Sequence, residues 1–320
     1  SHVKKTVRNM IDSKISDFLN APDDSINFGD ISNTKINQDA IIYWGDEPIG
    51  KMQKGLKIFS PIANALNTEF LSSENKLLVS AKIQNWLDNE ISTCLKPIKD
   101  NLSEDMNPNV RAIAFNCFEN LGTFPIEDFR DILKNLSIEN KMQLSKLGIR
   151  IGAKFFFMPN YMKKKQIELN SLLWKVFYPI SSEDFLPLPK DGRVSFTSNT
   201  KMPRTYWSSI GYISINNFAF RIDIFEKIFY EARKKIKLGP FLESADLMNP
   251  IGCNSNQLKD ILVFCGYSFI RLNNGKYLYY LNLNQKKSHI KINKNKKKLI
   301  HKKNFKPKTK TDPNSPFAVL

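Results

Sequence analysis

The sequence predicts an α+β, mainly α-helical protein: a helical body with a small β-hairpin, then a winged-helix-like module and a disordered basic tail. Three observations lead to this prediction. Apolar residues recur at helical spacing through much of the first 180 residues. Between residues 220 and 283, helical patterns are followed by an Asn-Gly hairpin signal. Residues 286–310 contain 12 lysines and no acidic residue.

The first 70 residues are expected to contain a helix and a small β-hairpin. Apolar residues from Val3 to Leu19 recur on one helical stripe, and Ala21-Pro22 ends the pattern. Between residues 40 and 52 the apolar period changes to two, with Gly45-Asp46 between the two halves. This change predicts two short antiparallel strands in an otherwise helical region.

Residues 73–177 predict a layer of roughly four or five amphipathic helices, because their apolar residues keep the spacing of a helix with one buried face. Prolines and a glycine then interrupt the pattern between residues 179 and 205, which favours a linker or an extended loop. The interrupting residues are Pro179, Pro187, Pro189, Gly192 and Pro203.

Residues 220–283 carry the pattern of a winged-helix-like module. A long amphipathic helix ends at Leu238-Gly239-Pro240, and a short helix follows it. Asn254 or Ser255 can cap a third helix. Asn273-Asn274-Gly275 then separates two apolar strands as a tight reversal. Three helices followed by a two-stranded wing are the order of a winged helix-turn-helix.

These patterns divide the chain into four expected parts. A Lys- and Asn-rich terminal segment has too few apolar residues to form a core, so we expect it to be disordered. The parts are a helix and hairpin region (1–70), a helical domain (71–180), a linker with the winged-helix-like module (181–285) and the Lys-rich tail (286–320).

The positive charge of the chain lies mostly in this tail. The whole sequence has 48 Lys and Arg against 31 Asp and Glu, whereas residues 1–285 have only 36 basic and 30 acidic residues. Lys outnumbers Arg by 39 to 9, a bias typical of an AT-rich genome. A flexible string of cations can bind a phosphate backbone, so Lys296, Lys297 and Lys298 are candidate nucleic-acid contacts. A solvated terminal extension is the alternative.

The winged-helix-like module supplies a second set of candidates. The third helix of such a module can lie in a groove of nucleic acid, which makes its outward residues Asn256, Gln257 and Lys259 candidates. Arg271 and Lys276 on the wing are positioned to contact phosphates. The alternative is that the module only packs against a neighbouring domain, because a fold does not fix a function.

Two further clusters combine charge or aromatic rings in ways that suit nucleic acid. Lys163 and Lys164 stand at a helix start, where the helix dipole does not favour cations; an exposed turn in a Lys-rich chain is the alternative. Arg204, with Tyr206 close behind it, offers a guanidinium and a ring that can stack on unpaired bases. For the ring, a place in the core is the alternative.

Several chemistries have no motif in the sequence. No GxxxxGK[ST] is present, so we expect this chain alone not to hydrolyse ATP. The four cysteines form no CxxC pair, and we expect them to be reduced and packed as small apolar groups in a cytoplasmic protein. We identify no catalytic residue and no metal ligand. No apolar run is long enough to cross a membrane.

Short motifs along the chain resemble a family of helicases. In them the chain is similar to the C-terminal region of alphaproteobacterial ATP-dependent helicases, which are DEAD/DEAH-type superfamily 2 proteins related to the mitochondrial degradosome RNA helicase. The motifs are Leu147-Gly148-Ile149-Arg150-Ile151-Gly152, Phe157-Met158-Pro159, Leu172-Leu173-Trp174, Gly192-Arg193-Val194-Ser195, Pro203-Arg204-Thr205-Tyr206, Gly211-Tyr212, Arg221-Ile222-Asp223, Gly239-Pro240-Phe241, Gly252-Cys253, Gly266-Tyr267 and Asp312-Pro313-Asn314-Ser315-Pro316-Phe317-Ala318.

The resemblance implies an accessory region that follows two helicase motor domains. The nucleotide-binding motifs of such motors have no counterpart in this sequence, so ATP and Mg are expected only for the missing motor domains and no cofactor for this chain. The implied partners are single-stranded RNA or DNA and the N-terminal motor domains, with no membrane. A start without Met also leads us to expect a piece of a longer protein.

The function expected on these grounds is that of a nucleic-acid-binding accessory region of an ATP-dependent helicase. The alternative is a structural or protein-interaction module that docks onto a helicase motor or another partner and does not read nucleic acid. Helicase activity itself would belong to the full-length protein.

Overall fold

A computed structural model describes residues 2–31, 40–66, 69, 71–99, 106–178, 187–198 and 201–282. Within these ranges the chain forms ten α-helices and thirteen β-strands, and the strands lie in four small antiparallel sheets. The fold is therefore a mixture of α and β structure. The predicted fold class, a mainly helical body with one small hairpin and a winged-helix-like module, is wrong.

The helices vary widely in length and burial. The longest has 27 residues and the shortest only four. The helix over residues 164–177 is buried along most of its length. The helices are α1 (His2–Asn20), α2 (Ser73–Lys99), α3 (Pro108–Glu119), α4 (Arg130–Lys134), α5 (Ile138–Lys146), α6 (Lys164–Phe177), α7 (Arg204–Ser209), α8 (Ile222–Leu238), α9 (Ala245–Met248) and α10 (Ser255–Cys265).

The strands are short, which explains why the sequence pattern missed most of them. Every strand except one has four residues or fewer, and an alternating pattern over so few residues does not stand out from a helical one. The strands are β1 (Ile26–Asn27), β2 (Ile41–Trp44), β3 (Glu47–Gln53), β4 (Ile62–Ala65), β5 (Thr123–Pro125), β6 (Arg150–Ile151), β7 (Phe155–Phe157), β8 (Ser195–Thr197), β9 (Tyr212–Ile215), β10 (Phe218–Arg221), β11 (Phe241–Leu242), β12 (Ser268–Arg271) and β13 (Tyr277–Tyr280).

The first sheet has the order β1-β2-β3-β4 and contains the segment predicted as a lone hairpin. Trp44 pairs with Glu47 across the expected turn, and the register shifts between Ile42 and Tyr43. Strand β4 packs on α2, and β3 lies so close to that helix that a Cβ at Gly50 would sit 2.9 Å from Ile83 Cδ1. The hairpin is thus the middle of a four-stranded sheet held against a helix.

The second sheet, β5-β7-β6, crosses a region predicted to be helical throughout. Its central strand is the run Phe155–Phe157, whose neighbours in the ladder are Thr123–Pro125 and Arg150–Ile151. A run of three consecutive phenylalanines has no alternation of its own, so a buried strand and a buried helix turn look the same in sequence.

The segment predicted as linker and winged-helix-like module contains two three-stranded sheets, β8-β10-β9 and β11-β13-β12. Strand β8 lies inside the expected linker, and β11 pairs with β13 where only a two-stranded wing was expected. The expected second helix is the four-residue α9. The winged-helix-like prediction is therefore wrong. The sequence did not reveal β8 and β11, because strands of three and two residues carry too little alternation to be recognised.

Two hydrophobic cores share the β7 strand. Phe156 belongs to the core built from the N-terminal helices and the first sheet, whereas Phe155 and Phe157 belong to the core around α8 and α10. Successive side chains of a strand point to opposite faces, so one short strand serves both cores. Strand β10 does the same, with Ala219 on the first core and Phe220 on the second.

Candidate nucleic-acid interface

An open groove of about 600 Å³ lies between α8 and the turn that joins β6 to β7. The turn is tight, because the Gly152 N–H donates to the Phe155 carbonyl at 2.9 Å. The groove therefore has a helix on one side and the end of a hairpin on the other. The hairpin side includes Arg150, Ile151 and Ala153.

The Glu226 side chain joins the two sides of the groove. It projects from α8, is almost fully buried, and its carboxylate accepts the backbone N–H groups of Ala153, Lys154 and Phe155 at 2.5 to 2.9 Å. A buried carboxylate is tolerated only where its oxygens accept hydrogen bonds, and three N–H groups meet that need. A Cβ at Gly152 would lie 2.4 Å from the Glu226 carboxyl carbon, so the turn can approach only with glycine there.

The amphipathic sequence of α8 decides which residues face the groove. Its apolar stripe, which includes Phe225, Ile228 and Ala232, is buried in the second core. Residues on the opposite stripe are left to solvent at a spacing of three residues. Lys227, Tyr230 and Arg233 occupy this stripe and line the groove.

Three cations give the groove its positive charge. Arg150, Lys227 and Arg233 are all exposed. Arg150 donates to the Ser145 hydroxyl at 3.1 Å, and the Arg233 guanidinium lies 5.9 Å from the centre of the Phe229 ring. In the part of the chain that the structure describes, none of the three forms an ion pair. Their charges are therefore free to meet an anionic ligand.

The two carboxylates that line the groove are both held by other groups. Glu226 is occupied by the turn, and Asp223 accepts two hydrogen bonds from Arg221, at 3.0 and 2.7 Å. Tyr230 adds an aromatic surface, with 57% of the residue exposed. Lys234 Nζ lies 4.5 Å from the centre of the Tyr230 ring. The groove thus offers free cations beside an accessible ring.

The candidates predicted on the C-terminal module do come together on one surface. Lys259 on α10 lies 5.7 Å from the centre of the Phe269 ring and pairs with Asp260 at 3.2 Å. Arg271 at the end of β12 and Lys276 after the turn are exposed. This surface, hereafter the hairpin surface, is therefore basic but partly neutralised by Asp260.

Gln257 has a structural role in the capping of α10. The Asn254 side chain accepts the Gln257 N–H, and the Gln257 side chain accepts the Asn254 N–H, both at 2.9 Å. This capping box satisfies two helix-end donors reciprocally. The Gln257 side-chain oxygen is therefore already engaged and is a poor candidate for reading a base.

Lys163 and Lys164 lie at the start of α6. Both are exposed, and Lys164 Nζ is 3.9 Å from Glu168. The next lysine, Lys165, pairs with Glu90 on α2 at 2.8 Å. These local carboxylates offset the lysines that the helix dipole disfavours.

Tyr206 and Arg204 occupy the same short helix, α7, but differ in access. Tyr206 is fully buried, and its hydroxyl donates to the Pro187 carbonyl at 3.2 Å, so Ser171 must donate to it in turn. No face of the Tyr206 ring is open to a base. Arg204 is exposed, with its guanidinium 5.5 Å from the centre of the Phe264 ring on α10.

The remaining candidates, Lys296, Lys297 and Lys298, lie outside the described residues. Sequence reasoning missed the groove residues Arg150, Lys227, Tyr230 and Arg233. A signal did exist for three of them, because they fall on the polar stripe of a helix that was itself predicted. Arg150 had no such signal, since its place depends on the β6–β7 turn.

The structure shows no metal centre within its described ranges, where no group of three His, Cys, Asp or Glu residues could hold an ion. The four cysteines are free, as predicted, and three of them are buried. Burial raises the pKa of the Cys253 thiol to about 11, which leaves it as an unreactive thiol at neutral pH. None of the described helices is long and apolar enough to cross a membrane.

The chain was also compared with known proteins. No protein-family model matches it, no curated protein matches it, and no solved structure matches it.

Proposed function

We propose that this chain is a nucleic-acid-binding accessory region of an ATP-dependent RNA or DNA helicase. Its motif resemblance to the C-terminal regions of such helicases supports the helicase part, with ATP and Mg bound by motor domains that this sequence does not contain. The α8 groove supports the nucleic-acid part. Its reduced, mostly buried cysteines favour the cytoplasm as the compartment.

The observation that carries the proposal is the presence of three free cations beside an exposed ring. Cations bind phosphates without regard to sequence, and an aromatic ring binds a base through its face. Only an unpaired strand offers phosphates and open base faces together. The combination of Lys227, Arg233 and Tyr230 in one groove therefore favours a single strand over a duplex.

The test is the salt dependence of binding to fluorescent single-stranded RNA and DNA. Lys227→Ala removes a groove cation, whereas Lys237→Ala removes an exposed cation of the same helix that does not line the groove. We expect Lys227→Ala to reduce the slope of log affinity against log salt by about 0.7, the value for one lost phosphate contact. Lys237→Ala is expected to keep the slope. Equal salt slopes for the two variants would mean that the groove does not contact nucleic acid.

The basic tail needs a separate arm of the same experiment. A chain ending at Gln285 keeps the groove and loses the 12 lysines of residues 286–310. We expect it to bind more weakly but still with a steep salt slope. If the shortened chain does not bind at all, the tail alone holds nucleic acid and the groove proposal fails.

A docking module remains the second candidate function, because α10 and β12 also expose apolar side chains. Val263, Phe269 and Ile270 are 46, 40 and 51% exposed on α10 and β12. Apolar groups on this scale suit a protein partner such as a motor domain. If Arg271→Glu with Lys276→Glu leaves nucleic-acid affinity unchanged, the hairpin surface does not contact nucleic acid and docking is the better account of it.

A further inference from the structure

A second concavity, a partly open cavity of about 260 Å³, lies beside the groove. Ala153 lines both spaces, so the β6–β7 turn is the wall between them. The cavity is bounded by β5, α7, β9 and α10. Arg130, Lys154, Arg204, Trp207, Ser214 and Phe264 are among the residues that line it.

The inner wall of the cavity is aromatic. Phe264 is half-buried, whereas Trp207 is only 2% exposed and has no ring face open to a base. Ser214, also half-buried, adds a hydroxyl that can donate or accept a hydrogen bond. Flat apolar walls with a few polar groups are typical of sites that bind a planar ring.

The outer part of the cavity is cationic. Arg130 and Arg204 are exposed and Lys154 is half-buried. Arg130 pairs with Glu127 at 3.1 Å, but within the described ranges Arg204 and Lys154 have no ion-pair partner. The Arg204 guanidinium already lies over the Phe264 ring, and a guanidinium plane of this kind can stack on a base. An anionic ligand with a planar ring could place its ring against the inner wall and its charge beside the outer cations.

We propose that this cavity receives one nucleobase of the strand bound in the α8 groove, with Arg204 and Lys154 on the adjoining phosphate. The proposal rests on the nucleic-acid-binding function proposed above and adds a base-holding site to it. The position of Ala153 between the two spaces supports this proposal, since a strand that follows the groove would pass the β6–β7 turn beside the cavity. The cavity would fix the register of the strand on the protein.

Photocross-linking tests the proposal directly. The probe is an oligouridylate that carries a single 5-iodouridine, which is irradiated with the full chain, and the linked peptides are mapped by mass spectrometry. We expect links to Phe264. Arg204→Ala is expected to weaken oligonucleotide binding and to reduce the slope of log affinity against log salt by about 0.7, the value for one lost phosphate contact. The matched control Arg111→Ala removes an exposed arginine of α3 that lines neither space and is expected to change nothing.

Three outcomes would overturn the inference. If the oligonucleotide binds but links only to Tyr230, bases stack in the open groove and the nucleic-acid-binding function stands without the cavity. If a tenfold excess of free UMP abolishes the link to Phe264 while the oligonucleotide stays bound, the cavity takes a free nucleotide rather than a base of the strand. If no oligonucleotide binds at all, the proposed function fails together with the cavity.

Discussion

At the scale of single residues, Glu226 fixes the shape of the groove without facing solvent itself. Its carboxylate gathers three consecutive N–H groups of the β6–β7 turn onto α8. Burial raises the pKa of Glu226, and the hydrogen bonds from Ala153, Lys154 and Phe155 act in the opposite direction. The oxygens of Glu226 are therefore hydrogen-bonded to the turn and do not form ion pairs with the groove cations.

The raised pKa of Glu226 sets the sign of a pH effect. A carboxyl with a higher pKa in the folded than in the unfolded state contributes most to stability below its unfolded pKa, about 4.3, and loses that contribution as the pH rises through the folded value. We expect the free energy of unfolding, relative to Glu226→Gln, to fall as the pH rises above about 4.3. Urea unfolding of both proteins at several pH values measures this difference. Parallel pH profiles would show that Glu226 is not the buried carboxyl described here.

Gly152 is the residue that lets the turn reach Glu226. In Gly152→Ala the new Cβ would overlap the Glu226 carboxyl, so hydrogen bonds must lengthen or break, and we expect a loss of about 1 to 3 kcal/mol. Thermal or urea unfolding gives the value. In the background of Glu226→Ala the same substitution is expected to have a smaller effect, because the clash is gone. Additive effects would contradict the proposed contact.

At the scale of elements, α10 depends on its N-terminal cap. Asn254→Ala removes one half of the capping box, and we expect it to lower the free energy of unfolding by about 1 kcal/mol. Because Gln257 serves the same box, neither Asn254→Ala nor Gln257→Ala is expected to change nucleic-acid affinity. Unfolding and binding measured on the same samples separate the two effects. A loss of affinity with unchanged stability would restore Gln257 as a contact.

Helix α8 has neighbouring residues with opposite roles. Phe229 is 8% exposed and packs in the second core, so Phe229→Ala is expected to destabilise the fold by about 3 to 5 kcal/mol. Tyr230 is mostly exposed, so Tyr230→Ala is expected to change stability by less than about 0.5 kcal/mol. We expect Tyr230→Ala instead to weaken single-strand binding by about 1 to 3 kcal/mol, the range for one stacked base. Fluorescence anisotropy and urea unfolding measure the pair. Unchanged affinity would mean that the ring does not stack.

The elements also show how far sequence could predict this fold. Helix α10 has Asn254, one of the two predicted candidates, as its N-cap and ends before Gly266 as predicted, because both signals are local. The sheet β5-β7-β6 was missed, because β5 and β7 pair over about thirty positions and the local pair β6–β7 has strands of only two and three residues. The hydrogen bonds between Glu226 and the turn join residues more than 70 positions apart. No local sequence pattern predicts such a contact.

At the scale of the whole molecule, β7 couples the two hydrophobic cores. Phe156 is fully buried and stacks on Phe124 at 4.7 Å in the first core, while its neighbours lie in the second. We expect Phe156→Ala to lower hydrogen-exchange protection in both cores, at α3 and α6 and also at α8 and α10. Amide exchange read by mass spectrometry tests this. Loss of protection at α3 and α6 alone would show that the cores unfold independently.

The candidate interface as a whole could be predicted only in part from the sequence. The polar stripe of α8 follows from helical spacing, and the charge of the tail follows from composition. What composition does not give is which cations remain free: Lys164 and Lys259 have carboxylates nearby, whereas Lys227 and Arg233 do not pair within the described ranges. That difference depends on how distant elements are brought together.

The attachment of the β6–β7 turn to Glu226 also bears on how the protein would resist force. The three hydrogen bonds converge on one carboxylate, so we expect tension between the turn and α8 to be shared among them. A strand drawn along the groove would pull on α8, and the pull would pass through Glu226 into β7 and so into both cores. If a strand binds the groove as proposed, we expect this anchorage to keep the β6–β7 turn on α8 while the strand moves.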